Sequence, residues 1–326
     1  MSKTINKKDL PKFLEKLKSK FEVYAPIKTN GNYLFKNIND IPIADIELNY
    51  STTLTPPKNI FFPYRETYFE IKNGKRKQPK FSEKTLVFGI HIPDIHGLLF
   101  LDDVFGGKEK DFYYFERRKN TVVIGVNHTS RTPTFHEALG LDVHAGYDLF
   151  LDDIGENYLA IPESKKGNEL INNALFKNSD WHEGITKSKI DPLLTDTEKL
   201  SLLVEKSAND KIWDDLAKIC FGCGNCSFVC PCCYCFETCD NIDFDGTIKR
   251  QRRWDSCFLP NFSEMTGINT RKRLRERIYH WYYHKFVQLP KTIGKIGCVG
   301  CGRCIAYCPA KINFRKVLAE IERKYG

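Results

Sequence analysis

Apolar and polar positions follow several distinct rhythms along this chain. Near its start, DLPKFLEKLKSKF sets Leu10, Phe13, Leu14, Leu17 and Phe21 on one face at helical spacing, which predicts an amphipathic helix. TLVFGI (85–90) and TVVIGV (121–126) are short continuous β-branched runs, the pattern of strands buried on both faces. YDLFLDDI and NYLAI read as weaker strands, TPPKNIFFPYRE as a proline-interrupted loop, and VFGGKEK as a turn. Leu200, Leu203 and Val204 form a helical stripe that Thr195 and Glu198 would open as a capping box. A second stripe of Ile212, Leu216 and Ile219 runs straight into Cys220. In RKRLRERIYHWYYHKF (271–286), Leu274, Ile278, Trp281 and Tyr282 share a helical face opposite a charged side.

Composition changes this picture at one place. All thirteen cysteines lie within 220–326 and none within 1–219. The shift predicts an α+β protein of two domains: a mixed α/β domain over 1–210, then a largely helical, cysteine-rich domain over 211–326. With 41% hydrophobic residues, the 326-residue chain can build ordinary cores. The basic start carries no apolar leader segment, and no apolar run is long enough to span a bilayer, so a cytoplasmic protein is expected. In a reducing cytosol, clustered cysteines bind metal or do redox chemistry more often than they pair as disulfides.

The spacing decides which chemistry. Cys220, Cys223, Cys226 and Cys230, followed by Pro231, spell C-x2-C-x2-C-x3-C-P, and Cys298, Cys301, Cys304 and Cys308, followed by Pro309, repeat it. This is the bacterial ferredoxin run, present twice. Three thiolates two residues apart wrap one corner of a cubane, while the fourth faces away and ligates the other cluster. The expected sets are Cys220, Cys223, Cys226 and Cys308 for one [4Fe-4S] cluster, and Cys298, Cys301, Cys304 and Cys230 for the second. Gly222, Gly224, Gly300 and Gly302 let the backbone approach the sulfides. A structural zinc site prefers four ligands in paired C-x2-C units and explains the triple spacing poorly. Residues 231–297 form a long insertion between the two motifs of this ferredoxin-like domain.

Charge then has a smaller meaning than it first shows. The formal balance is +9. Two cubanes, each near −2 with its four thiolates, bring it to about +5. One charged helix is too little for nucleic-acid binding, so none is expected; that helix either packs on the cluster domain or docks an acidic redox partner. No GxGxxG or GxxxxGK[ST] motif is present, so the chain shows no nucleotide site of its own. Cys232, Cys233, Cys235, Cys239 and Cys257 remain, as packing thiols, ligands of a further metal site or reactive thiols.

CPCCYCFETCD, RRWDSC and CVGCGRCIAYCPAKINF, with VYAPIK, PPKNIFFPYRE, VFGIHIPDIHGLLFLD and GYDLFLDDI earlier, resemble the beta subunits of sulfhydrogenases and the related electron-transfer subunits of anaerobic sulfite reductases. The likeness covers nearly the whole chain. It implies an electron-transfer subunit of a hetero-oligomer. A partner flavoprotein would hold FAD and exchange electrons with NAD(P)H, and a catalytic reductase or hydrogenase subunit would lie at the other end. The eight motif cysteines match that family's dicluster ligands, and Cys233, Cys235 and Cys257 match family positions without an assigned role. Further cysteines of the family's N-terminal region are replaced here by Pro93, His128, Thr134 and His136, so a cluster bound there in relatives is expected to be missing. His91, His96, His128, His136 and His144 cluster in this stretch; they are ordinary packed or surface residues, or a substituted metal site formed around His128 and His136.

The expectation is therefore an anaerobic iron–sulfur relay without bond chemistry of its own; a cluster-bearing redox sensor with a basic docking helix is the alternative. Arg303 lies in the second loop where the first has Asn225, so the second cluster is expected to have the higher reduction potential.

Overall fold

The two β-branched runs become the centre of a sheet. The computed structural model describes residues 2–81, 84–127, 133–141, 145–180 and 190–326. Strands Thr85–Ile90 and Thr121–Val126 pair in parallel with each other and with Glu22–Thr29 and Leu149–Asp153 on either side. The full eight-stranded order runs Phe176–Ser179, Ser2–Asn6, Asn157–Pro162, Leu149–Asp153, Thr121–Val126, Thr85–Ile90, Glu22–Thr29, Asn32–Asn37. A strand buried on both faces has no use for polar alternation, which is why 121–126 is buried throughout and, after Thr121, carries no polar side chain. Helix Leu10–Lys18 lays Leu10, Phe13, Leu14 and Leu17 on this sheet, each buried side chain contributing roughly 1.5–3 kcal/mol.

The chain forms two compact units: residues 1–61 with 81–189, and residues 62–80 with 190–326. This division differs from the expected boundary between 210 and 211. In the second unit, Arg65–Lys72 and Lys75–Lys77 complete a four-stranded antiparallel sheet with Phe236–Ile242 and Ile248–Trp254. The reason is long-range pairing that composition cannot show. Arg252, fully buried, meets the buried Glu66 at 2.5 Å and lies over the Phe62 ring at 4.6 Å, and Trp254 Nε1 donates to Phe62 O. The α+β class holds, and the unit expected to be largely helical also carries this sheet.

Helices Thr197–Lys206 and Ile212–Ile219 both belong to the second unit. The first buries Leu200, Leu203 and Val204 as its stripe predicts, but its cap is Asp196, whose side chain accepts from Lys199 N–H; Thr195 closes the preceding turn, Pro192–Thr195. In the second, Ile219 is 53% exposed, and fully buried Trp213 takes the interior position, its Nε1 donating to Ser207 O at 2.6 Å. The proline-interrupted loop holds a short helix, Lys58–Phe61, before the strand at Arg65. Helix Leu274–Tyr283 buries Ile278, Trp281 and Tyr282, with Leu274 half-buried. Its aromatic face is core rather than a docking surface.

Candidate iron–sulfur centre

The two cysteine runs fold into the same local device. Gly222 and Gly224 take φ of 63° and 73°; Gly300 and Gly302 take 65° and 70°. A side chain is strained at such angles, so glycine lets each loop curl back over its own thiols. Each loop then enters a single helical turn, Asn225–Phe228 or Arg303–Ala306. Backbone amides turn toward sulfur: Gly222 N–H donates to Cys220 Sγ and Ile312 N–H to Cys308 Sγ, both at 3.4 Å, and Gly300 N–H donates to Cys298.

Cys220, Cys223 and Cys226 line one hollow together with Cys304 and Cys308 of the second run. Ile278, Trp281 and Tyr282 supply part of its apolar wall. The fourth cysteine of the second run thus reaches the first loop. Reciprocally, the sulfur of Cys230 acts electrostatically on both Cys298 and Cys304. Tyr282 borders both groups: burial first, then the sulfurs of Cys304, Cys226, Cys220 and Cys308, push its phenol well above the usual range.

Burial is also the main reason that the thiols of Cys226 and Cys304 lie far above the ordinary thiol range, and that Cys298 is pushed up to about 11. Neighbouring thiols add to each shift. Crowded, buried thiols hold protons until a metal displaces them, so this donor set suits a metal centre. Among the described residues, no three His, Cys, Asp or Glu side chains converge as the ligands of a single ion would. Thiols spread around a hollow suit a multi-iron cubane with one cysteine per corner better than one tetrahedral zinc ion.

Sequence reading missed the cation beside these sulfurs. Helix Leu274–Tyr283 runs on through a π-helical turn, His284–Gln288, and buries Lys285. Lys285 Nζ lies 3.3 Å from Cys230 Sγ and 2.7 Å from Gly297 O. Burial lowers its pKa, but the sulfurs of Cys230, Cys233, Cys232 and Cys298 outweigh this and hold the ammonium well above its usual range. The signal was present in the apolar stripe 278, 281, 282, 286, 289, which a lysine interrupts at 285. Arg303 is 1% exposed, whereas Asn225 is half-buried and donates to Tyr307 O at 2.6 Å.

The remaining cysteines divide by place. Cys232 is buried, and both it and Cys233 hydrogen-bond the sulfur of Cys230, with Cys235 acting on Cys233. Cys257 is buried 3.9 Å from Ser227 Oγ in the first loop. Cys239 lies on the sheet strand Phe236–Ile242, against Asn241. In the other unit, Pro93 opens helix Ile92–Phe105 and His136 is buried, its pKa lowered to about 4 by burial and by His96. His128 and His144 lie outside the described residues.

Residues 219–312, which span both loops, match the 4Fe-4S dicluster domain family. The Sulfhydrogenase 2 subunit beta of Pyrococcus furiosus is 34% identical to the chain over 326 residues, with 95% of each chain covered. No solved structure matches. No helix among the described residues is long and apolar enough to cross a membrane. The dicluster match accounts for the cysteine loops, the identity extends over both compact units, and the chain belongs to the sulfhydrogenase beta-subunit family.

Proposed function

We propose that the chain is an electron relay with two [4Fe-4S] sites, the first held by Cys220, Cys223, Cys226 and Cys308, the second by Cys298, Cys301, Cys304 and Cys230. The observation that carries this reading is reciprocity: Cys308 lines the hollow of the first loop, and Cys230 stands with the second. Each site then borrows one ligand from the other run, which sets them side by side with Tyr282 against both. A [4Fe-4S] cluster supplies one-electron storage. The protein's residues exclude water with Trp281, Ile278 and Phe258, and hold hydrogen-bond donors at the sulfurs.

Two partners complete the relay in this reading. A flavoprotein holds FAD and exchanges electrons with NAD(P)H; a catalytic protein of hydrogenase or sulfite-reductase type takes or gives them at the other end. Family membership supports the hydrogenase side. The chain itself carries out no bond chemistry, and the assembly is cytoplasmic and works anaerobically.

Anaerobic purification tests this directly. About 8 Fe with matching acid-labile sulfide per chain, two interacting S = 1/2 signals and reduction by a reduced flavoprotein are expected. Zinc without iron or sulfide would end the relay reading. Oxidant-triggered cluster loss that alters partner binding, with no transfer from the flavoprotein, would replace it with a sensor.

A further inference from the structure

We propose that Lys285 sets the reduction potential of the second site, as a buried cation that donates a hydrogen bond to the thiolate of Cys230. The proposal rests on the two-cluster reading and adds a positioning residue to it.

Lys285 occupies a place that packing alone would give to an apolar side chain. The buried stripe of its helix runs through Ile278, Trp281 and Tyr282, then Phe286 and Leu289. Lys285 falls on that stripe and is 4% exposed. An ammonium in such a place costs free energy unless it is bonded, and an apolar side chain of similar volume would carry no such cost. The fold bonds it at both ends. Nζ donates to Gly297 O at 2.7 Å and reaches Cys230 Sγ at 3.3 Å, while the backbone carbonyl of Lys285 accepts Gly297 N–H at 2.8 Å.

Gly297 immediately precedes Cys298. A Cβ there would lie 2.7 Å from Leu289 Cδ1 and about as close to Lys285 as a contact allows, 3.1 Å from Cγ. One lysine therefore clamps the start of the second loop and touches the ligand that this site borrows from the first run. The Trp281 ring, 5.2 Å from Nζ, faces the charge. The π-helical turn that begins at His284 carries the lysine, and such turns recur at functional sites.

The electrostatic consequence has a definite sign. Reduction adds one negative charge, so a nearby cation and a hydrogen bond to sulfur stabilise the reduced form more than the oxidised form. At the first site the borrowed ligand, Cys308, accepts a neutral backbone N–H from Ile312. Lys285 also acts on Cys226 of the first site, but its hydrogen bond goes to Cys230, so it raises the second site more than the first and makes it the place where an electron rests.

The test is an EPR-monitored redox titration of the full anaerobic chain, with chemical mediators, for wild type, Lys285→Met and Lys285→Arg. The second-site signal is assigned by its loss in Cys301→Ser. Lys285→Met is expected to keep both clusters and to lower the second site's reduced-to-oxidised ratio roughly tenfold at fixed ambient potential, ~59 mV for one electron. The first site should move less, and Lys285→Arg should keep most of the wild-type value. Both clusters present with an unchanged second-site potential, or equal shifts at both sites, would overturn the proposal. If Lys285→Met loses iron, wild type grown with 15N-lysine decides: a 15N hyperfine coupling to the reduced second site supports the contact, and its absence refutes it. Wild type that titrates normally yet takes no electron from a reduced flavoprotein would sink the relay while leaving Lys285 in place.

Discussion

Set side by side, the two cysteine loops have one backbone and two surroundings. Their glycines take matching left-handed angles, and both loops pass into a single helical turn. Yet the first lies at the surface, with Phe221 72% exposed and Cys223 exposed, while residues 299–303 of the second are all buried. Two buried cations, Lys285 in contact with Cys230 and Arg303 within the loop, belong to the second; the first has Asn225 at the place of Arg303, the buried Arg277 acting on Cys220, and Lys285 acting on Cys226 without a hydrogen bond. Spacing fixes how thiols meet a cluster; burial and fixed charge decide how readily that cluster takes an electron. The exposed loop is suited to exchange with a partner, and the buried one to holding charge.

The largest break in this comparison comes from its shared ligands. Cys230→Ser should remove the second site and leave the first, so iron falls from about 8 to about 4 per chain while the first-loop EPR signal persists. Cys308→Ser should do the reverse. Iron analysis with EPR reads both. Loss of the first-loop signal in Cys230→Ser would mean that each run holds its own four-cysteine site, and the reciprocity would fall.

A second prediction concerns the helix that carries Lys285 to the buried loop. His280 and His284 stand one turn apart with parallel rings, centroids 5.9 Å, and His284 Nε2 lies 3.3 Å from Tyr234 Oη. Both pKa values are lowered to about 4, by burial first and then by cations: Arg271 for His280, and Lys285, His280 and Arg271 for His284. The unfolded chain therefore binds protons that the folded one refuses. Stability is full above the ordinary histidine value of 6.5, falls with pH through the window down to about 4, and changes no further below it. Between about pH 7 and pH 6 the loss should be about 0.5 kcal/mol per histidine, allowing for solvent screening. Thermal unfolding of holo wild type and of His280→Gln/His284→Gln checks this. The double variant should be less sensitive to acid; an equally steep loss would show that the pair is not held neutral.

The two cysteine loops of the dicluster domain were legible because their chemistry is local. A cubane imposes the C-x2-C-x2-C-x3-C-P spacing within twelve residues, and the exchange of the fourth ligand between the runs is the proposal made above. Strands 85–90 and 121–126 were legible because, after an opening threonine, burial on both faces leaves only apolar side chains and one glycine in each run. Other features needed the fold. Residues 62–80 join the cysteine-rich unit through pairing of Glu66 with Arg252, far apart in sequence. Trp213 displaced Ile219 from the interior because the helix ends there and the chain turns outward into the first loop. Lys285 looked like one more charge in a basic stretch; only packing shows that it points at sulfur.

The smallest and sharpest prediction exchanges the one residue that differs in charge at equivalent places in the loops. Arg303 follows Gly302 as Asn225 follows Gly224, each opening its helical turn. If the contrast between sites is electrostatic, Asn225→Arg should raise the first site's potential and Arg303→Gln should lower the second's, each by roughly threefold in the reduced-to-oxidised ratio. The effect falls below that of Lys285, which contacts a ligand sulfur directly, because charge acting over a longer path is screened. The two changes together should bring the sites' midpoints closer than either change alone, and redox titration with iron analysis reads this without any partner protein. Potentials that stay put in both variants would move the difference from fixed charge to burial, and the exposed first loop, with Phe221 and Cys223 at the surface, would then be the feature that sets its potential.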